Sequence, residues 1–331
     1  MCLVSCGRAT NIVVMAGLVI VGAGPIGTWV AEAALADGAV DQIVAVVDPD
    51  ERARRELVAA TGAPGFESTV GLPAAATGDA ALVAFASSAE KVAPVVIRLV
   101  SAGYNVVTTC EGLAWAPRHL WDALHTSARS DGKIIIVTGA NPGFVMDRLP
   151  LLAAGASRAI SRIEVTRRMD TSLRRPSLVA KSGRGLSEEQ FAAGVLSGRV
   201  GHRGLDSSAR LLARGLEWPY KDVTVTIDPV FDGDPGAGAS ESTIIGATHR
   251  ARLSAGDGRE IILHLTMAWG LDDELDRIVI EGNPPITLEI PGGYPVDEGT
   301  AAQVVSALRR MATLGPGFYR PTDIPLRFGV A

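Results

Sequence analysis

Gly22, Gly24 and Gly27 stand at G-x-G-x-x-G spacing directly behind the apolar run Leu18-Val19-Ile20-Val21. A second apolar run, Gln42 to Val47, ends in Asp48, about 20 residues after the last glycine. This pattern can seat a pyrophosphate on bare backbone. Gly22 permits the tight turn, Gly24 lets the chain approach the phosphates, and Gly27 allows close helix packing. Pro25 and Ile26 lead into a helix whose positive end faces the anion. With 37 glycines in 331 residues the spacing alone decides little, so the preceding strand, the following helix and the distant acid carry the assignment. Asp48 is placed to bind the ribose hydroxyls and so favours NAD. Arg52, Arg54 and Arg55 could screen the 2′-phosphate of NADP.

In an open α/β sheet the ligand lies beyond the carboxyl ends of the strands. Three loops meet that description: Ser87-Ser88, Thr109-Cys110-Glu111-Gly112, and Gly139-Ala140-Asn141-Pro142-Gly143-Phe144. Ser87 and Asn141 are expected to contact the cofactor. Glu111 is the one carboxylate of the three loops and the candidate acid/base; a helix-capping or ion-paired glutamate is the competing reading. Asn141-Pro142-Gly143 serves equally well as a ligand loop or a hinge, and Phe144 as a pocket wall or as core. Cys110 has no histidine near it in sequence and reads as a small buried filler. The basic set Arg167, Arg168, Arg174, Arg175, Lys181 and Arg184 fits ion pairing better than ligand binding.

The elements that must position these residues alternate regularly. Strands are predicted near 18–21, 42–47, 81–86, 105–109 and 133–138, with helices near 28–36, 51–60, 90–102 and 117–130, the signature of a doubly wound parallel sheet. After Pro142 an apolar helix, Asp147 to Ala154, precedes half-buried strands at 163–169, 223–227, 243–250, 260–265 and 277–281. These imply a second α+β domain on a largely antiparallel sheet. A helix over 299–314 then leads to a tail expected to return across the first domain. The resulting division is an extension over 1–14, a dinucleotide-binding domain over 15–145, a substrate and dimerisation domain over 146–298, and the closing segment 299–331.

Composition narrows the function classes. A formal charge of −5 argues against nucleic acid as a partner. Three cysteines and five dispersed histidines suggest neither a disulfide framework nor a metal site, which suits the cytoplasm. Met1 to Val14 do not read as a signal peptide, and no run is apolar for long enough to span a membrane.

The segments Asn141-Pro142-Gly143-Phe144-Val145-Met146-Asp147, Ile163-Glu164-Val165-Thr166-Arg167, Leu173-Arg174-Arg175 and Gly201-His202-Arg203-Gly204-Leu205 resemble those of the 2,4-diaminopentanoate dehydrogenase family. The resemblance runs to Thr322-Asp323-Ile324-Pro325. It implies a dihydrodipicolinate-reductase-like dinucleotide domain, a homodimer, and reductive amination of a small ketone or aldehyde by ammonia with NAD or NADP. The family's amine-engaging glutamate matches Glu111, and Phe144, Met146 and Ser172 match its substrate wall. Two departures stand out: Gly112 where relatives resemble a second glutamate, and Ser172 where they tend to carry an aromatic. The His-His-x-x-Lys segment of true dihydrodipicolinate reductases has no counterpart. A carbonyl or cyclic-imine reductase that needs no ammonia, and a redox-silent NAD-binding sensor, are the alternatives.

Overall fold

The computed structural model describes residues 15–85, 87–233 and 243–325; the predicted N-terminal extension lies outside them. The first half alternates strand and helix: β1 (Leu18–Val21), α1 (Pro25–Ala36), β2 (Ile43–Val47), α2 (Glu51–Thr61), β3 (Gly65–Phe66), β4 (Ala80–Val83), α3 (Ala89–Ser101), β5 (Asn105–Thr108), α4 (Glu111–Ala114), α5 (Arg118–Ser130) and β6 (Ile134–Val137). β1, β4 and β6 are buried along their whole length, because helices cover both faces of a parallel sheet and leave no polar side. The strand order is β13-β6-β5-β4-β1-β2-β3, with β13 contributed by the C-terminal segment. β1 lies between β2 and β4, at the switch point where such sheets open a crevice.

The second half comprises α6 (Arg148–Ala154), β7 (Arg158–Asp170), α7 (Pro176–Lys181), α8 (Glu188–Ser197), α9 (Leu205–Gly215), β8 (Tyr220–Phe231), β9 (Ile244–Ala255), β10 (Glu260–Ala268), β11 (Leu275–Asn283) and β12 (Ile286–Pro291). Its sheet runs β12-β11-β7-β10-β9-β8, with β7 and β10 parallel and every other pair antiparallel. β7 shows the alternation its sequence predicts. Ile163, Val165 and Met169 point into a core shared with Leu205 and Leu212 of α9, while Glu164 and Thr166 stay half-buried on the other face. Ser187 caps α8 through a reciprocal box with Gln190, as expected from its hydroxyl at a helix start. α10 (Val296–Met311) then packs on α1, burying Val304 and Leu308 in the first core. β13 (Gly317–Tyr319) pairs in parallel with β6.

Both predicted sheets are present, and the differences lie at element ends. α1 starts at Pro25 rather than Thr28, since proline is tolerated in a first turn where its missing N–H is not needed. α10 likewise begins at Val296, behind Pro295. β12 is an edge strand, mostly exposed, that the predicted strands do not include. Glu111 opens a one-turn helix, α4, rather than sitting in a loop.

Candidate active site

The glycine turn behaves as its spacing predicts. Gly22 has φ +105°, a left-handed conformation, and a Cβ there would lie 2.9 Å from Phe85 N. A Cβ on Gly27 would lie 1.9 Å from the carbonyl oxygen of Gly22, so only glycine lets α1 pack on the turn. Around Gly24, by contrast, nothing lies within 4 Å of the Cβ position, and Gly24 is the N-cap residue of α1. Open space over a helix N-terminus suits a pyrophosphate. Asp48 braces this cradle: its carboxylate accepts from the amides of Ala23 (2.7 Å) and Asp50 (2.8 Å). These residues fit a dinucleotide, and Pro25 opens α1 directly beneath it.

From the cradle a cleft of about 530 Å³ runs between the two halves of the chain. Ile26, Ser87, Glu111 and Asn141 all line it. Another hollow of about 750 Å³, beside Leu151, Arg158, Trp218 and Arg259, contains none of the predicted site residues.

Glu111 is the first residue of α4, behind Cys110 at the N-cap, and Cys110 makes no side-chain capping bond. The Glu111 carboxylate faces the second half of the molecule. Oε1 lies 3.8 Å from Lys181 Nζ, at the end of α7, and 3.6 Å from His202 Nδ1, in the turn before α9. His202 is held from two sides. Its Nε2 lies 3.2 Å from Asn141 Nδ2, and its backbone amide donates to His249 Nε2 at 3.0 Å. With the Asn141 amide as donor to Nε2, the imidazole proton sits on Nδ1 and faces Glu111. Burial lowers the His202 pKa, so the ring is neutral.

Behind this group lies a polar core. His249 Nδ1 bonds the carbonyl of Leu265 at 3.1 Å, and burial first, then His202, pushes its pKa down to about 4. Fully buried Asp147 accepts from the amides of Gly143 (2.9 Å) and Arg148 (2.7 Å) and from the Ser208 hydroxyl (2.8 Å). Its pKa is raised by burial against these bonds. Ser208 Oγ also lies 3.2 Å from Asn141 Oδ1. The Asn141–Pro142 loop is thus fixed to the second half of the chain.

The three residues expected at the substrate wall do not line the cleft. Phe144 packs against Tyr294 with the rings tilted and their centroids 5.0 Å apart. Met146 is fully buried in the second core, its sulfur 3.2 Å from Asn141 Nδ2. The Ser172 hydroxyl is taken by the Asp170 carboxylate. The chain turns inward after Gly143, so Phe144 and Met146 join the core under α6. The apolar wall comes instead from Met169, Leu178, Leu265 and Met267.

Most of the basic set is ion-paired: Arg168 with Asp273, Arg174 with Glu274, Arg175 with Asp297. Arg184 lies over the Trp269 ring at 3.8 Å. Arg167 is 3% exposed. It donates to the carbonyl of Tyr294 at 2.6 Å and faces Asp276 at 3.6 Å, but its Nη1 has no partner among the described residues. Lys181 and His202 are the site residues that sequence spacing did not reveal. The Gly201-to-Leu205 segment marked His202 only as part of a resemblance.

The comparisons with known proteins give the family and the fold. The sequence profile of the 2,4-diaminopentanoate dehydrogenase C-terminal domain matches residues 144–330. The chain belongs to that family. Residues 16–111 match the oxidoreductase family with an NAD-binding Rossmann fold. A 2,4-diaminopentanoate dehydrogenase of Acetoanaerobium sticklandii is 26% identical over 247 residues, 69% of this chain and 68% of that protein. The solved structure of an amine dehydrogenase from Mycobacterium smegmatis superposes with a TM-score of 0.80 at 20% identity, covering 95% of this chain and 97% of that one. GenD2 from gentamicin A biosynthesis, solved with NAD, gives a TM-score of 0.59 at 18% identity over 96% and 92% of the two chains. This member is an NAD(P)-dependent oxidoreductase. Among the described residues no helix is long and apolar enough to cross a membrane.

Proposed function

We propose that the protein is an amine dehydrogenase, catalysing the reversible reductive amination of a small ketone or aldehyde with ammonia. The observation that supports this best is the Glu111 carboxylate, which lines the cleft beside the cofactor cradle with Lys181 and neutral His202 within 4 Å. Amination needs a base that frees ammonia from ammonium and a negative charge that steadies the iminium. One carboxylate on the cleft wall meets both needs. Bound NADH or NADPH supplies the hydride.

Each side chain then has a task. Gly22, Gly24, Pro25, Ile26 and Gly27 seat the dinucleotide, with Asp48 on the ribose and Ser87 and Asn141 farther along the cofactor. The Asp48 carboxylate braces the turn at the ribose position, which favours NAD over NADP. Asn141 holds His202, and His202 directs its Nδ1–H at Glu111. Met169, Leu178, Leu265 and Met267 enclose the carbon skeleton. Arg167 lines the same wall with an unpartnered Nη1, which favours a substrate carrying an oxygen anion away from the reacting carbon, as the name of the Acetoanaerobium relative suggests. In this reading residues 15–145 bind the dinucleotide, 146–298 close the substrate site and carry the dimer contacts, and 299–331 tie back to the first sheet. The protein works in the cytoplasm as a homodimer.

The test follows NADH and NADPH absorbance with a panel of small ketones, aldehydes and keto acids, with and without ammonium at mildly alkaline pH. Oxidation that requires ammonium is the expected result, faster with NADH and with keto acids. Oxidation independent of ammonium would replace the reading with a carbonyl reductase. Cofactor binding without any turnover would favour a sensor.

A further inference from the structure

Resting on the amine-dehydrogenase reading, we propose that Lys181 is a second catalytic residue: the acid that protonates the substrate oxygen while Glu111 takes protons from the nitrogen. The cations along the cleft wall support this by their bonding. Arg167 holds the Tyr294 carbonyl and Asp276 and keeps only its buried Nη1 for a substrate anion, Arg175 pairs with Asp297, and Arg203 bonds the Gly198 carbonyl. His202 spends Nε2 on Asn141, and its Nδ1, 3.6 Å from Glu111, belongs to a neutral ring and so offers no cationic donor. The Lys181 ammonium lines the cleft yet makes no hydrogen bond among the described residues. Its charged neighbour there is Glu111, whose Oε1 at 3.8 Å lies beyond hydrogen-bond length. Lys181 is thus a cationic donor with its protons still to place, beside the base that handles the amine.

The proton balance of amination calls for such a pair. Converting ammonium and a carbonyl into an iminium and water moves two protons from nitrogen to oxygen. Glu111 accepts a proton from ammonium, and the freed nitrogen lone pair forms the C–N bond as the carbonyl π pair moves to oxygen. Lys181 protonates that oxygen. Transfer from the Glu111 acid to the neutral Lys181 amine, once the Lys181 side chain closes the 3.8 Å gap to hydrogen-bond length, restores both groups. The second round removes a proton from the nitrogen, protonates the hydroxyl and breaks the C–O bond. Water leaves, the iminium remains, and carboxylate and ammonium are regenerated. A glutamate alone would have to swing from nitrogen to oxygen twice per turnover; Lys181 removes that need.

In the oxidative direction hydride transfer precedes hydrolysis of the iminium, so the two roles separate in time. The experiment mixes wild type, K181M and K181R with saturating NAD in a stopped-flow instrument. The amine is the best of a panel of small primary amines and amino acids. K181M is expected to give a burst of about one NADH per site at the wild-type rate, then a steady state at least 10²-fold slower. K181R keeps the charge but is a poor proton donor and should stay slow as well. The burst also reports that the variant is folded. A burst slowed as much as the steady state would place Lys181 in the hydride step or in holding Glu111. An unchanged steady state, or full recovery in K181R, would show that no acid is supplied there. Each of these outcomes overturns the inference alone; a wild type inactive with every amine overturns the underlying reading and the inference with it.

Discussion

His249 illustrates how much a buried residue does without touching substrate. Its ring donates from Nδ1 to the Leu265 carbonyl and accepts the His202 amide at Nε2, so the neutral tautomer satisfies both partners and a second proton has no acceptor. The unfolded chain takes up that proton near pH 6.5, whereas the folded protein refuses it until about pH 4. The unfolded state therefore binds more protons across this window. Stability falls as pH drops from 6.5 towards 4 and levels off below, a change of about 3 kcal/mol from this one group. His202, also lowered, acts in the same direction; buried Asp147, whose pKa is raised, acts in the opposite one. Comparing denaturant midpoints of wild type and His249→Gln at pH 7.5 and pH 5 isolates the histidine. The variant should lose less stability on acidification, and parallel losses would count against this assignment.

At the scale of elements, the glycine turn separates packing from ligand binding. Gly27→Ala drives a methyl group into the Gly22 carbonyl and should cost about 2 kcal/mol or more in thermal or denaturant unfolding. Gly24→Ala meets open space and should unfold within about 0.5 kcal/mol of wild type, while weakening cofactor binding at least tenfold. Calorimetric titration with NADH alongside unfolding checks both; a Gly24→Ala protein that binds normally would remove the pyrophosphate from this position. The same elements show what a sequence reveals. β1, β2, β5 and β6 are short runs rich in β-branched residues, and their alternation with amphipathic helices was legible. β3, of two residues, is too short to carry such a signal, and β12 carries only a brief alternation, Ile286-Thr287-Leu288-Glu289-Ile290, at an exposed sheet edge. Glu111 was legible because it directly follows a buried strand at the ligand-facing end of the sheet. Lys181 and His202 were not, because they reach Glu111 only when α7 and the turn before α9 fold over the first sheet. Phe144 and Met146 misled for a related reason. Their closeness to Asn141 along the chain says nothing about which side of the Pro142–Gly143 turn they face.

Across the whole molecule, the C-terminal segment ties the two halves together. α10 packs on α1, its Thr300 hydroxyl accepts the Ala140 amide beside the cleft, and β13 extends the first sheet at β6. Phe318 of β13 is 2% exposed and sits 4.7 Å from Trp121. Arg320 lies 3.7 Å above the same indole, and Arg214 of α9 pairs with Asp323. Phe318→Ala should cost about 3–5 kcal/mol, seen as a lowered denaturation midpoint. A cost below about 1 kcal/mol would mean that the tail merely lies on the surface. The arrangement gives the cleft a wall from each half and a brace behind it, and this keeps Glu111 of the first half opposite Lys181 and His202 of the second.

The measurement that bears most directly on the account is the turnover of Glu111→Gln in the ammonium-dependent reaction, with the NADH dissociation constant determined on the same preparation. The account predicts a kcat at least 10²-fold below wild type and cofactor affinity within about threefold, because glutamine keeps the shape of the side chain but can neither take a proton nor steady an iminium charge. Wild-type turnover in Glu111→Gln would contradict it and remove the carboxylate from the chemistry.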